Sequence, residues 1–222
     1  MDQKNKKRIK KKKPPNPLRN YTIHSRHNGI PEEKDVTQYL AFDPGENNPE
    51  IRIERRIKSH FGDTCSSIIT LYQCKHRVNY QRELVTPEST KSYATLDLIN
   101  ILEQLKEYYV NLDMVLIERQ MNVNNNMMHF QWTVITYFVQ LYPDILVIDV
   151  LSKLKSHNLG VPPDLNYPKL KKWGTNKAIE LSKKRKDKKF LKYLDTVKKI
   201  DDACDTLLMI EGFCAEIGYQ LS

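Results

Sequence analysis

Two rhythms of apolar residues alternate along this chain. Short runs rich in β-branched and aromatic side chains predict strands, and longer stretches with apolar residues three and four apart predict helices. Residues 37–43 (TQYLAFD) form a first strand that runs straight into Pro44-Gly45, a turn signal. Residues 46–63 are polar and mixed, with one helical turn expected around Glu54–Lys58. Residues 66–74 (SSIITLYQC) and 76–85 (HRVNYQRELV) predict two antiparallel strands, although no Asn-Gly or Asp-Gly turn joins them. Leu98, Leu102, Leu105 and Tyr109 form the stripe of an amphipathic helix over 93–109. The run DMVLIE (113–118) suits a buried central strand that ends in a carboxylate. A second helix follows at about 127–141, and ILVIDV (145–150) makes a fifth strand. Residues 151–174 hold Gly160, three prolines and Gly174, and read as loop. A basic helix is expected to start near Asn176, and a last helix spans about 199–217 with Gly218 at its C-cap.

A meander followed by alternating helices and strands implies an α/β fold, a mixed five-stranded sheet with helices on both faces. Residues 1–35 stand outside it: they are Lys-rich, carry Pro14, Pro15 and Pro17, and read as a disordered basic arm. The folded domain is expected over 36–222. The second helix carries two apolar stripes, Met127, Phe130, Val134, Phe138 and Leu141 on one side and Trp132, Ile135, Val139 and Tyr142 on the other. The sheet explains one stripe. The other is covered either within the domain or by a second copy, which would make it a dimer interface.

Composition narrows the class. At 222 residues the chain holds one real core. No run approaches the roughly 18 apolar residues of a membrane span, and the charged N-terminus lacks the apolar segment of a secretory signal. Four cysteines without CxxC spacing imply a reduced, intracellular protein. Cys74, His76, His24 and His27 match no zinc-finger spacing.

The net charge of +9 is unevenly spread. Residues 1–13 carry eight Lys/Arg against Asp2 alone, and residues 169–199 carry thirteen against Glu180, Asp187 and Asp195. The rest of the chain is therefore acidic. Basic blocks imply a polyanionic partner, most often nucleic acid. The tail is a DNA-gripping arm, a nuclear address or a solubilising run, and the sequence does not choose among them. An acidic body is unexpected for a protein that merely coats DNA, so the carboxylates have another use.

Three acidic features fall where elements end. Asp43 closes the first strand in Phe42-Asp43-Pro44-Gly45, and Glu118 closes the fourth in Leu116-Ile117-Glu118. In the last helix, Asp202 and Asp205 share a face at i, i+3, while Asp201 and Asp205 at i, i+4 serve nearly as well by spacing. Each has a plain structural explanation: a turn aspartate, a strand end meeting water, first-turn acids favoured by the helix dipole. Asp205 is the exception, set among Ala203, Cys204, Leu207 and Leu208, where a bare carboxylate is costly. Asp149 also ends a strand and reads as an ordinary strand-end residue.

Together the segments AFDPGENNP (41–49), LIERQ (116–120) and KIDDACDTLLM (199–209) resemble the ribonuclease H-like nucleases. More narrowly, the chain resembles RuvC-type Holliday junction resolvases, and most of all their poxvirus-type relatives in large DNA viruses. The resemblance covers about residues 38–217 and implies a magnesium-dependent endonuclease that nicks four-way junctions in pairs. It implies that Asp43, Glu118, Asp202 and Asp205 bind two Mg²⁺ ions, with Mn²⁺ a possible substitute, and it selects Asp202 over Asp201. It places basic residues that touch the scissile phosphate at Lys169 to Lys177, with Lys171, Lys172 and Lys177 the candidates and Lys172 the catalytic choice. Lys183, Lys184 and Arg185 extend the expected DNA contact. A homodimer on branched DNA is implied, with no membrane and no small-molecule cofactor, in the host cytoplasm or nucleus. Two rivals remain: a related nuclease acting on flaps or RNA–DNA hybrids, and a non-catalytic DNA-binding protein.

Overall fold

The computed structural model describes residues 20–26, 29–44, 49–57, 65–73, 90–121, 123–197 and 199–219, with backbone alone for 65–73 and 90–94. Six strands form one sheet: β1 (Tyr21–Ile23), β2 (Val36–Asp43), β3 (Glu50–Ile57), β4 (Cys65–Gln73), β5 (Met114–Glu118) and β6 (Leu146–Val150), in the order β1-β6-β5-β2-β3-β4. The pairs β2–β5 and β5–β6 are parallel, and β1–β6, β2–β3 and β3–β4 are antiparallel. The sheet is mixed, as expected, and contains four of the five expected strands; β3 and the three-residue edge strand β1 are additions.

Side-chain alternation splits the core in two. Leu40, Phe42, Val115, Ile117 and Val147 pack with α1 (Thr90–Gln104) and α2 (Asn125–Leu141). Tyr39, Ala41, Met114, Leu116, Leu146, Ile148 and Val150 pack on the other face against α3 (Leu154–His157) and α6 (Ile200–Ile217). A third cluster joins α4 (Tyr167–Lys184) and α5 (Lys188–Leu194) to the outer side of α6 through Ala178, Leu181, Phe190, Leu194, Cys204, Leu207 and Leu208. Helices therefore cover both faces. Among the described residues none of them is long and apolar enough to cross a membrane.

Several expectations are corrected. The helical turn around Glu54 is strand β3, whose EIRIERRI sequence alternates with period two. Ile51 and Ile53 enter the α1–α2 core, while Arg52, Glu54 and Arg56 are buried on the α6 side, so a strand buried on both faces carries charge on one. Residues 151–174 are not all loop: Asn166 caps α4 by accepting from the Lys169 amide at 3.2 Å, and Pro168 sits in the first turn, where no amide donor is needed. The basic helix consequently begins at Tyr167. The arm expected to be disordered up to residue 35 contributes β1, fixed by pairing to the β6 edge. The strand expected at 76–85, the Gly45 turn position and residues 1–19 lie outside the described residues. The C-cap is as expected, with Gly218 left-handed at φ 77° and its amide bonded to the Cys214 carbonyl.

One close approach fixes the site described below. A Cβ on Gly212 of α6 would lie 2.3 Å from the carbonyl oxygen of Leu154, so α3 presses its backbone directly on α6. Gly212→Ala should therefore cost about 1–3 kcal/mol, the usual range for overpacking. Urea denaturation would read this loss.

Candidate active site

The alternation that builds the core also aims the carboxylates. Asp43 lies two residues beyond Ala41, and Glu118 two beyond Leu116, so both leave the sheet on the α6 side. The parallel register pairs Phe42 with Ile117, which sets Asp43 and Glu118 side by side on neighbouring strand ends, where their side chains share a hydrogen bond. Asp205 arrives from the second turn of α6. Lys155 arrives from α3, and its Nζ donates to Glu118 Oε2 and to Asp205 Oδ2, each at 3.0 Å. The nearest Asp43 oxygen lies at 3.9 Å. All four side chains are largely buried.

These charges are not equivalent. Burial pushes Asp43 well above the usual carboxylate range, and the neighbouring Glu118 and Asp205 add to the effect against the pull of Lys155. Glu118 is buried too, but Lys155 and hydrogen bonds from Asp43, Ser152 and Lys155 bring it down to about 2. The two shifts run in opposite directions, Asp43 raised and Glu118 lowered, as is usual for two carboxyls that share a hydrogen bond. Burial alone would lower Lys155; the three carboxylates reverse that and keep it an ammonium.

A second lysine closes the site from α4. Lys171 Nζ donates to Asp205 Oδ2 at 2.9 Å and lies 3.4 Å from Asp201. Asp202, one turn before Asp205 on α6, is held instead by Lys199 at 2.7 and 2.9 Å. The structure thus brings three of the four expected carboxylates together and leaves Asp202 beside them with its own cation.

The donor set suits a hard divalent cation, since every group is a carboxylate oxygen on a rigid mount. Among the described residues, no three acidic, histidine or cysteine side chains close around one metal-sized point. They converge on the Lys155 ammonium instead. A shared position for positive charge is built, and a lysine fills it.

Lys155 is not legible in the sequence, because it lies in a stretch that reads as loop. Its only signal is its place just after a third parallel strand, whose end lies level with Glu118 through the Glu118–Val150 register. Lys172, the sequence choice for catalysis, is exposed; Lys171, one residue earlier and about 100° round the helix, faces the site. Lys169, Lys183 and Lys184 are exposed on α4, and Lys177 pairs with Glu180 at 2.9 Å.

Arg185 is a correction. Its side chain is fully buried in an ion cluster with Glu54 and Glu211, alongside Arg52 and Arg56, and it cannot meet DNA there. Ile135 is a second correction. It is buried in the chain's own core because the segment carrying Tyr109 folds over α2, where the Tyr109 ring meets Phe138 and Tyr142 edge to face. Val139 and Tyr142 pack partly buried against the same cluster, and Trp132 alone of that stripe is exposed. Asp149 points to the α2 side, away from the site, and bonds His24 at 3.0 Å and Arg119 Nε at 2.8 Å.

No protein-family profile matches the chain. Uncharacterized protein 97L of Invertebrate iridescent virus 3 is 28% identical over 116 residues, which is 52% of this chain and 55% of that protein. The chain thus spans about half the length of the curated relative it matches. Among solved structures, Thermus thermophilus RuvC superposes with a TM-score of 0.51 at 12% identity, over 82% of this chain and 96% of that one. The yeast mitochondrial Holliday junction resolvase Ydc2 gives 0.54 at 15% identity, over 82% and 81%. At such identities the likeness is one of fold, and the fold is the ribonuclease H-like one of RuvC-type resolvases.

Two outcomes follow from the charge arrangement. With divalent metal chelated, the stability that neutral Asp43 contributes is lost as pH rises from the ordinary aspartate value through its raised one. Asp43→Asn keeps a neutral donor, so it should exceed the wild type in stability at pH 8, with the gap shrinking toward pH 4. Thermal denaturation at both pH values measures this. Arg185→Met strands buried carboxylates and should cost about 3–5 kcal/mol, whereas Lys183→Met on the exposed face should stay within about 0.5 kcal/mol in the same urea titration.

Proposed function

We propose that this protein is a divalent-metal-dependent endonuclease that resolves four-way DNA junctions by paired nicks. The observation that carries the reading is the convergence of Asp43, Glu118 and Asp205 on one buried point, with Lys155 and Lys171 at its edge. Phosphodiester hydrolysis needs that combination: carboxylates to gather cations, and fixed positive charge beside the phosphate.

Mg²⁺, with Mn²⁺ as substitute, is the proposed cofactor, held by Asp43, Glu118 and Asp205 with Asp202 as the fourth ligand. Two such ions, when bound, supply an activated water and neutralise the leaving 3′ oxygen. The chain's own residues do the rest. Because its carboxyl is raised by burial, Asp43 would bind a proton in competition with a metal ion, so metal uptake would be favoured at higher pH. Lys155 keeps its charge in that buried setting and, with Lys171, orients a phosphodiester laid across the carboxylates. Lys169, Lys172, Lys183 and Lys184 line the exposed length of α4, about 27 Å for its eighteen residues. They are the proposed track for the DNA backbone, with correspondingly salt-dependent affinity.

Junction selectivity follows if two copies are related by a two-fold axis, since a four-way junction has near two-fold symmetry and like nicks are then ligatable. The homodimer and a role in large-DNA-virus recombination on the poxvirus-like branch belong to the same proposal. The viral role draws support from the iridescent-virus relative. The site of action is proposed to be the host cytoplasm or nucleus.

The test is cleavage of a labelled synthetic four-way junction, with duplex, flap and RNA–DNA hybrid controls, in Mg²⁺ and in EDTA. Paired, metal-dependent nicks on the junction alone are expected. Asp43→Asn, Glu118→Gln and Asp205→Asn should each lose at least about 10²-fold, as should Lys155→Met. Asp202→Asn should lose activity where Asp201→Asn keeps it. Cutting of flaps or hybrids instead would replace the substrate and retain the centre; junction binding without any cutting would refute the enzyme.

A further inference from the structure

Behind Glu118, on the opposite face of the sheet, lies a buried carboxylate that the proposed chemistry does not use. β6 is otherwise apolar, with Leu146, Val147, Ile148 and Val150 all buried, yet its fourth residue is Asp149, only 5% exposed. A charge in that place costs free energy unless donors compensate it, and packing alone would be served as well by an apolar side chain. Asp149 collects three donors. Arg119 Nε donates to Oδ1 at 2.8 Å, Gln131 Nε2 donates to Oδ2 at 3.3 Å, and His24 Nε2 lies 3.0 Å from that second oxygen. Burial alone would raise the carboxyl; hydrogen bonds from His24 and Arg119 and the guanidinium beside it bring it below the usual range.

Strand register brings these groups together. Asp149 pairs with Ile117 of β5 on one side and with Thr22 of β1 on the other. Arg119 lies two residues beyond Ile117, hence on the same face, and its guanidinium also donates to Thr22 Oγ1 at 2.5 Å. Gln131 reaches them from α2.

What these contacts hold is the chain that leaves Glu118. β5 ends at Glu118, and one further backbone bond, from the Arg119 amide to the Val150 carbonyl at 2.8 Å, continues its pairing with β6. Side chains then take over. Arg119 is clamped to Asp149, and the Gln120 amide donates at 2.8 Å to Oε1 of the same Gln131 that bonds Asp149. A buried anion on one face thus holds both residues that follow a carboxylate on the other. The ends of elements fray unless anchored, and a misplacement of about 1 Å at a reacting centre can cost about 10²-fold.

We propose that Asp149 is a positioning residue for the metal centre: acting through Arg119 and Gln131, it fixes the end of β5 and so the aim of Glu118. The inference rests on the reading of Glu118 as a metal ligand, and it adds a residue from the far face of the sheet.

The experiment uses the full chain without DNA and takes Mn²⁺ as the probe, its affinity read from the electron paramagnetic resonance of the free ion. Asp149→Asn keeps the shape and removes the charge. Arg119→Met breaks the same link at a side chain that is partly exposed, and so keeps the test sound if the first variant misfolds. Each should weaken Mn²⁺ binding about 10–100-fold. In a Glu118→Gln chain the same substitutions should change the affinity by less than about twofold, because the ligand they aim is already gone. Amide hydrogen exchange at Arg119 and Gln120 should quicken at least about tenfold, with Val115 to Ile117 unchanged. Mn²⁺ affinity unaltered by either variant overturns the inference. So does an equal loss in the Glu118→Gln chain, which marks a general loosening of the fold. A wild-type chain that takes up no Mn²⁺ refutes the metal centre and this role with it, whereas Mn²⁺ uptake without nicking of junction DNA refutes the nuclease alone.

Discussion

Three carboxylates share a nearly dry pocket at one end of the sheet, and their mutual repulsion is the constraint that organises this protein. Asp43 and Glu118 are forced together by the parallel β2–β5 register, and α6 adds Asp205 to them. Left uncompensated, such a group would cost several kcal/mol. The fold answers with a hydrogen bond between the Asp43 and Glu118 side chains, a raised Asp43 carboxyl and the ammonium of Lys155. Lys155 reaches that point because α3 lies directly on the backbone of α6 at Gly212. The sheet ends, the bare contact of two helices and the buried lysine are thus one device. The site's negative charge is offset by two ammoniums, Lys155 and Lys171, and by the burial that raises Asp43.

A second buried set of charges holds the surroundings in place. On the α6 side of β3, Arg52 and Arg56 both bond Glu54, Arg56 reaches Glu211 of α6, and Arg185 joins both acids from the end of α4. Burial alone would raise Glu54; the three guanidiniums instead hold it far below the usual range. Arg52 also lies 4.6 Å over the Phe190 ring of α5. The lysine-bearing helix α4 is therefore locked to the helix that carries Asp205 by a cluster whose partners cannot be removed one at a time. That arrangement keeps Lys171 at the carboxylates and the remaining lysines of α4 on the outside.

Much of this is legible in the sequence where periodicity is local. The runs 113–118 and 145–150, the Leu98–Leu102 part of the helical stripe (α1 ends at Gln104, short of the expected 109) and the Gly218 cap all report residues whose neighbours are close in sequence, and the sheet class follows from their order. Asp43 and Glu118 are visible because a carboxylate that ends a strand stands out against apolar neighbours. β3 escapes because its period-two pattern pairs isoleucine with arginine and glutamate, whose burial depends on partners on α4 and α6 far along the chain. Residues 151–174 mislead because Pro168 and Gly174 are breakers only out of context: one occupies a first helical turn, the other a position packed against Leu208. Lys155 and the burial of Arg185 have no local signal. Both are set by where strands and helices end in space.

The central claim is that the point now held by Lys155 is a place for divalent metal. Crystals of the wild-type chain soaked in Mn²⁺ test it most directly, through anomalous scattering. Density within coordination distance of Asp43, Glu118 and Asp205, about 2.0–2.2 Å, with the Lys155 ammonium moved off their oxygens, is the predicted result. Lys155 still bridging Glu118 and Asp205 at saturating Mn²⁺, with no metal among the three carboxylates, would contradict it.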